Sequence, residues 1–167
     1  KYNLVSKNTE KDIWHRHILD SAQILKYIDT SSSKKLADLG SGAGFPGIVI
    51  AIAVDRFKFH VKLYEKSPVK RQFLKEVRDR LSLNFDIEGN VYNGKLSADI
   101  IMCRAFKKLA EIINISREIV IKPHKMIILK GESAKTEINN LSLSKNYRYK
   151  IFKSLTKQDS KIITIDV

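Results

Sequence analysis

A glycine-spaced segment, residues 35–47 (KLADLGSGAGFPG), constrains the fold more than any other part of the chain. A short apolar run ends there in an acid, continues through four glycines and a proline, and leads into the apolar stretch 48–54. Glycine adopts positive φ and lets backbone N–H groups come close to a ligand, and Pro46 suits the first turn of a helix. The segment therefore predicts a strand, a ligand-binding turn and a helix whose N-terminus offers unpaired N–H groups.

Two glycine patterns overlap in this segment and favour different cofactors. Gly42-x-Gly44-x-x-Gly47 matches the dinucleotide fingerprint of Rossmann oxidoreductases. Asp38-x-Gly40-x-Gly42-x-Gly44 matches the first motif of S-adenosylmethionine (SAM) dependent methyltransferases. The acid favours the second pattern, because at the end of a strand it can hold a cationic or hydroxyl-bearing part of a ligand. A tight strand-to-helix turn without a ligand is the structural alternative.

The length of 167 residues predicts one domain, 1–167, with a helical N-terminal cap over 1–30 and a cofactor-binding α/β core over 35–167. The single cysteine, Cys103, leaves no internal disulfide to form and fits a reducing, cytoplasmic location. Four scattered histidines give little support for a metal site. The apolar run 48–54 is too short to span a bilayer, so we expect no membrane partner. We also expect a monomer.

The charge of the chain points to its partner. Lys and Arg total 31 against 18 Asp and Glu, a net charge of +13. Such an excess favours a polyanionic partner, nucleic acid first and an anionic membrane second. A solvated, lysine-rich surface without a partner is the alternative.

Strand and helix patterns alternate along the chain. Helices are predicted at 9–28, opened by a capping box at 9–12, and at 48–54, 68–81, 107–119 and 133–143. Besides the strand that begins at residue 35, further strands are predicted at 59–65, 85–91, 98–103, 125–130, 147–154 and 161–167. This order predicts a doubly wound, Rossmann-like α/β fold, whose mostly parallel seven-stranded sheet ends in an antiparallel strand pair.

Two helices carry residue patterns that predict a buried face. Ser67 and Pro68 are expected as the N-cap and first residue of the helix 68–81. Its basic outer face could hold RNA phosphates or could simply be solvated. The expected buried residues are Val69, Phe73, Val77 and Leu81 in that helix, and Ile13, Trp14, Ile18, Ala22, Leu25 and Ile28 in the first helix.

Several predicted strands end in a glycine or a polar residue. Parallel α/β sheets bind ligands beyond the carboxyl ends of their strands. Gly40, Glu65, Tyr92, Arg104 and Lys130 fall at those ends, and we expect them to share one edge of the sheet. Glu65 is placed to accept hydrogen bonds from ribose hydroxyls, although an exposed acid without a ligand is the alternative.

Five sequence blocks point to a family. They are Tyr2-Asn3-Leu4, residues 16–21 (RHILDS), residues 38–47, residues 104–106 (RAF) and residues 129–131 (LKG). With these blocks the whole chain resembles the bacterial small-subunit ribosomal RNA guanine-N7 methyltransferases, the glucose-inhibited division protein B family. The resemblance implies a class I SAM-dependent methyltransferase fold. Since that family has a helical segment ahead of the first block, we expect the chain to begin partway into a longer protein.

The resemblance also implies cofactor contacts. They fall on Gly40, Phe45 and Arg104, and on a pair after the third strand that we place at Val91 and Tyr92. The family usually has an arginine and acids in that loop, whereas Asn93–Lys95 supplies neither. Asp38, Gly42, Gly44 and Glu65 complete the predicted SAM site.

The implied substrate is a guanine of small-subunit (16S) rRNA, free or in an assembling ribosomal particle. Guanine N7 has a lone pair and no proton, so its methylation needs alignment rather than a general base. We expect Arg104 and Lys130 to orient base or phosphate, with a supporting role for His17 and Asp20, for which a structural helix-to-sheet contact is the favoured alternative. An NAD-type oxidoreductase and an RNA-binding module that has lost catalysis are the alternatives.

Overall fold

The computed structural model describes residues 4, 11–32, 34–55, 58–141 and 147–167. The predicted capping residues Thr9 and Glu10 and most of the Tyr2-Asn3-Leu4 block lie outside this part of the chain. In the described part, no helix is both long enough and apolar enough to span a bilayer.

Seven strands form one sheet in the order β3-β2-β1-β4-β5-β7-β6. Strands β1 to β5 pair in parallel, whereas β7 runs antiparallel to both of its neighbours, β5 and β6. The predicted sheet is therefore confirmed. The strands are β1 Lys35–Leu39, β2 His60–Tyr64, β3 Asp86–Glu88, β4 Ile100–Arg104, β5 Lys125–Lys130, β6 Arg148–Lys153 and β7 Lys161–Asp166.

In the described residues, five helical segments and one 3-10 turn accompany the sheet. The first, α1, has three consecutive parts: Trp14–Leu19 with π geometry, Asp20–Ala22 with α geometry and Gln23–Tyr27 with 3-10 geometry. The others are α2 Gly47–Val54, α3 Pro68–Arg80, α4 Leu109–Ile119 and α5 Ala134–Asn139. Helix α5 is shorter than the predicted 133–143, whose last two residues lie outside the described part.

Each face of the sheet has its own hydrophobic core, as a doubly wound fold requires. Successive strand residues point to opposite faces. In β1, Leu36 therefore packs with Ile50 of α2 and Leu74 of α3, while Ala37 packs on the other face with Ile112 of α4. Helices on both faces bury the sheet, so the strand ends at its carboxyl edge are the natural place for ligands.

The predicted buried face of α3 is partly wrong. Ser67 does cap the helix, and its side chain accepts from the Lys70 N–H at 3.4 Å. However, Leu74 is the fully buried residue, whereas Val69 is 61% exposed. A strict four-residue spacing drifts around a helix of 3.6 residues per turn, so Val69 lies off the face that Leu74 defines. Leu81 is exposed because it follows the last helical residue.

The predicted face of α1 is also partly wrong. Trp14 is 76% exposed, and the buried side chains are Ser21, Gln23, Ile24 and Ile28. The π geometry over Trp14–Leu19 changes the residue spacing, so a 3.6-residue pattern does not identify its inner face. Gln23 is buried because it has polar partners elsewhere in the chain.

Strand β3 is shorter than predicted, and a 3-10 turn rather than an α-helix follows it. Strand β3 has only three residues, not the predicted 85–91, and a 3-10 turn, Val91–Asn93, follows it. The side chain of Val91 is buried in the core beneath α4, while Tyr92 is 51% exposed. Of these two predicted cofactor contacts, only Tyr92 presents its side chain at the surface.

Candidate functional site

The glycine turn between β1 and α2 has the backbone conformation that its sequence predicts. Gly40, Gly42 and Gly44 have φ of 73°, 58° and 89°, a region that disfavours other residues. A Cβ on Gly44 would lie 2.3 Å from Cδ1 of Ile48, and one on Gly47 would lie 2.6 Å from Oδ2 of Asp38. Local packing therefore disfavours a Cβ at both Gly44 and Gly47.

Asp38 holds the turn from below. It is fully buried, and its Oδ2 accepts from the Gly47 N–H at 2.9 Å. Oδ1 is buried and has no hydrogen-bond partner among the described residues. Burial raises the pKa of this carboxyl to about 7. Asp38 therefore ties β1 to the start of α2 and has no exposed surface for the ligand contact that its position in the motif predicts.

The backbone N–H groups of the turn are mostly used within the protein. Those of Gly40 and Ser41 donate to the carbonyl of Tyr64, those of Gly44 and Phe45 to Ser41, and that of Ile48 to Gly44. The prediction that the N-terminus of α2 offers unpaired N–H groups is therefore wrong at Gly47 and Ile48. A dinucleotide needs such groups for its pyrophosphate, so this turn fits a cofactor without phosphate better.

Glu65 joins the ends of β2 and the glycine turn. Only 6% of it is exposed, and its two oxygens accept from the N–H groups of Gly42, at 2.9 Å, and Ser67, at 2.8 Å. Each carboxylate oxygen has a second lone pair, so a ribose hydroxyl can still donate to it. Glu65 is therefore not the exposed acid of the alternative prediction.

Arg104, at the end of β4, is clamped by α1. Its Nη1 donates to Oδ2 of Asp20 at 3.2 Å and to the carbonyl of Arg16 at 3.1 Å. Its Nη2 lies 2.8 Å from Nδ1 of His17, which must accept because a guanidinium has only donors. Burial, together with the Arg104 charge, lowers the pKa of His17. The neutral imidazole then carries its proton on Nε2.

An aromatic stack connects this clamp to the glycine turn. The His17 ring lies on the Phe45 ring with centroids 5.0 Å apart and planes 19° apart. The Arg104 guanidinium carbon lies 5.2 Å from the Phe45 centroid, a cation–π distance. Gly40 has a similar neighbour, because a Cβ there would lie 2.3 Å from Cδ2 of Phe106. Arg104 at the end of β4 and Phe106 just after it therefore contact the turn after β1 at two points.

Asp20, which accepts from Arg104, also connects α1 to the turn between β6 and β7. Its Oδ1 accepts from Oγ1 of Thr156 at 2.5 Å and from Nε2 of Gln23 at 2.9 Å. Gln23 in turn accepts from the Leu155 N–H at 2.8 Å and donates to Oγ of Ser154 at 3.1 Å. Sequence reasoning missed Gln23, Ser154 and Thr156, since no local pattern links residues 131 to 136 positions apart.

Lys130, at the end of β5, is also paired. Its side chain is 9% exposed, and Nζ lies 2.8 Å from Oε2 of Glu137 and 2.8 Å from the carbonyl of Lys107. Burial alone would raise the pKa of Glu137, but hydrogen bonds from Lys130, Ser133 and the Leu109 N–H outweigh it and lower that pKa. The charge of Lys130 is thus compensated within the protein.

A cavity of about 440 Å³ opens beside these groups, between α1, the ends of β4 and β5, and residues 154–162. Five cationic side chains and one acid line it: Arg16, Arg104, Lys130, Lys157, Lys161 and Asp20. Within the described ranges, no group of three or more His, Cys, Asp or Glu could hold a metal ion. Cys103 is buried, and burial raises the pKa of its thiol.

The structure thus brings most predicted site residues to one edge of the sheet. The glycine turn contains Gly40 and Phe45, and Glu65 and Arg104 contact it. Lys130 lies at the neighbouring cavity. Asp38 and Val91 are buried behind this edge.

Solved structures share the fold. A SAM-dependent methyltransferase from Aquifex aeolicus matches with a TM-score of 0.71 at 12% identity, over 99% of this chain and 98% of that one. A methyltransferase from Pyrococcus furiosus matches with a TM-score of 0.70 at 11% identity, over 89% and 82%. At such low identity the likeness shows the fold alone, and it confirms the predicted fold class.

Relatives with higher sequence identity define the family. Ribosomal RNA small subunit methyltransferase G of Orientia tsutsugamushi (strain Ikeda) is 36% identical over 99% of this chain and 81% of its own length. The protein of that name from Rickettsia felis is 38% identical over 98% and 83%. A family model described as GidB, rRNA small subunit methyltransferase G, matches residues 1–163. The chain therefore belongs to the GidB family, as the resemblance of its motifs predicts.

Proposed function

We propose that this chain is a SAM-dependent methyltransferase that methylates N7 of a guanine in small-subunit (16S) rRNA. The observation that carries the proposal is the glycine turn beside Glu65. Most of its N–H groups are satisfied internally, while its carboxylate neighbour keeps lone pairs for ribose hydroxyls. This combination suits a nucleoside cofactor without phosphates, and it comes with membership of an rRNA methyltransferase family.

The predicted cofactor-binding residues divide into two groups, those that shape the glycine turn and those that can contact SAM. Asp38, Gly42 and Gly44 shape the turn, while Gly40, Phe45, Glu65, Tyr92 and Arg104 remain to contact the cofactor. When bound, SAM supplies a methyl group activated on a sulfonium. Phe45 stacks on His17 and lies under Arg104, so its position is set before any ligand arrives. We assign the contacts themselves to these residues as part of the proposal.

The cavity beside the turn supports a reaction without a general base. Its side chains of a type that can act as a general base are His17 and Asp20, and Arg104 donates to both. Lysine and arginine are poor bases near neutral pH. Guanine N7 needs no deprotonation, so the role left for the chain is to align the base.

The partner follows from family and charge. We infer that the net charge of +13 serves binding to rRNA, free or in an assembling ribosomal particle. The proposal includes a cytoplasmic location, a monomer and a single domain in which α1 caps the α/β core.

The test is a pH–rate profile at saturating rRNA, combined with 7-deazaguanine at the modified position. A catalytic base would make the rate of methyl transfer change with pH around its own pKa. We expect instead that the rate of the chemical step is nearly independent of pH across the neutral range. The deaza base lacks the N7 lone pair but keeps its Watson–Crick edge. Loss of transfer with retained binding supports the proposal. Transfer to the deaza substrate would overturn it and would point to another acceptor atom.

A side-by-side binding assay separates the alternatives. Labelled SAM, NAD and rRNA are offered to the same protein. We expect binding of SAM and rRNA but not of NAD, because the turn keeps few N–H groups for a pyrophosphate. Binding of rRNA without SAM would favour a module that has lost catalysis.

A further inference from the structure

Three lysines lie side by side at one end of the sheet. In the strand register, Lys161 of β7 is directly opposite Lys130 of β5 on one side and Lys153 of β6 on the other. Directly opposite residues point to the same face with Cβ atoms roughly 4.5–5.5 Å apart, and like charges in such pairs are destabilising. This lysine row, Lys130–Lys161–Lys153, therefore needs a compensating negative charge.

The protein compensates only one member of the row. Glu137 pairs with Lys130 at 2.8 Å. The Nζ of Lys161 donates to the carbonyl of Gln158 at 3.1 Å. Among the described residues, no carboxylate lies within ion-pair distance of Lys161 or Lys153. The outer part of the lysine row thus keeps its charge.

Lys161, one of the two uncompensated lysines of the row, borders the cavity. Lys161 lines it together with Lys157 from the turn that precedes β7. Lys157 pairs with Glu132 at 2.5 Å, but both side chains are exposed, and such surface pairs exchange readily for another anion. Deeper in the cavity, Asp20 balances Arg104. Positive charge that no buried carboxylate balances therefore remains where the turn before β7 lines the cavity.

We propose that Lys153, Lys157 and Lys161 bind the RNA phosphates that flank the target nucleotide, and that the cavity receives this nucleotide. The inference rests on the proposed function and assigns its RNA contacts. A volume of about 440 Å³ lies in the range of small-ligand pockets. Lysine binds phosphate as a point charge with three rotatable donors, which suits a flexible backbone. The phosphate role predicted for Lys130 passes to these outer lysines, because Glu137 already neutralises Lys130.

The experiment compares Lys161→Gln, Lys153→Gln and their double variant with Lys150→Gln. Lys150 is an exposed lysine on β6, three residues from Lys153 and hence on the opposite face, where it lies opposite Thr164 and outside the lysine row. Affinity for a transcribed small-subunit rRNA fragment is measured at several salt concentrations. SAM affinity and Tm are measured in parallel.

Each removed phosphate contact lowers the slope of log affinity against log salt by roughly 0.7–0.9, which weakens binding roughly fivefold to eightfold at 0.1 M salt. We expect this loss for Lys161→Gln and Lys153→Gln, recovery with Lys161→Arg, and no change in SAM affinity. In the absence of RNA, Lys161→Gln should raise Tm at low salt, since it relieves the repulsion in the row. A lysine with a merely structural role would lower Tm instead.

Two results separate the levels of inference. If the double variant keeps the salt slope of Lys150→Gln, the lysines are not phosphate ligands, while methyl transfer by the unmodified protein still stands. If the unmodified protein fails to transfer methyl groups to rRNA, the proposed function itself is wrong. Binding to poly-glutamate is measured for the same variants. If the double variant keeps its RNA affinity but loses binding to poly-glutamate, the lysines bind an acidic protein, and the RNA assignment is overturned.

Discussion

Asp38→Asn should change how the stability of the protein depends on pH. The Asp38 carboxyl is buried under the glycine turn, and burial raises its pKa from 3.8 to about 7. Between these values the folded protein keeps a proton that the unfolded chain has lost. The free energy of unfolding therefore falls as the pH rises from about 4 to about 7. Asparagine cannot ionise, yet its oxygen can still accept from the Gly47 N–H.

The magnitude follows from the two pKa values. At about 1.4 kcal/mol per pH unit, the interval between them corresponds to about 4 kcal/mol in total. Between pH 5 and pH 8, roughly 2–3 kcal/mol of this is lost from the native protein and none from the variant. Groups other than Asp38 titrate in both proteins, so they cancel in the difference.

Urea unfolding of both proteins at pH 5, 6, 7 and 8 measures this difference. Asp99→Asn is the control. Its side chain accepts from Lys122 and from the Lys35 N–H, and these bonds lower its pKa. The stability that Asp99 provides is therefore lost only at pH below about 4, outside the measured range. Parallel stability curves for the native protein and Asp38→Asn would refute the raised pKa of Asp38.

Two further predictions concern α3 and the cofactor. Leu74→Ala should lower the free energy of unfolding by about 2–5 kcal/mol, because it opens a cavity in the core, whereas Val69→Ala should change it by less than about 0.5 kcal/mol. Equal losses in urea unfolding would contradict the observed face of the helix. Glu65→Ala should weaken SAM binding in calorimetry by roughly tenfold to a hundredfold, the worth of a charge-assisted hydrogen bond. An unchanged dissociation constant would rule out any part for Glu65 in the cofactor site.

Most of the fold could be predicted because its signals are local. The glycines at 40, 42 and 44 require positive φ, and the Ser67–Pro68 pair marks a helix start; the structure has both features. The alternation of strands and helices then leaves few possible topologies. The end of β2 could be placed to within one residue for the same reason, since the strand ends at Tyr64, directly before Glu65.

The errors arose where distant contacts decide. The helical periodicity predicts Val69 on the buried face of α3. In the structure Leu74 is buried instead, in one core cluster with Leu63 and Leu36 of the sheet. Nothing in the sequence near Gln23 shows that Leu155 and Ser154 will satisfy its amide. The Gly47 N–H, at the start of α2, is likewise a partner of Asp38 that the motif does not predict.

The bonds around Asp20 determine when the protein becomes complete during its synthesis. Asp20 reaches Arg104 across 84 positions and Thr156 across 136. A chain leaves the ribosome from its N-terminus, so α1 emerges long before either partner exists. Strand β7, the last of the sheet in the chain, must then insert between β5 and β6. A nascent chain can therefore form its glycine turn early but closes the cavity only after the β6–β7 hairpin is made.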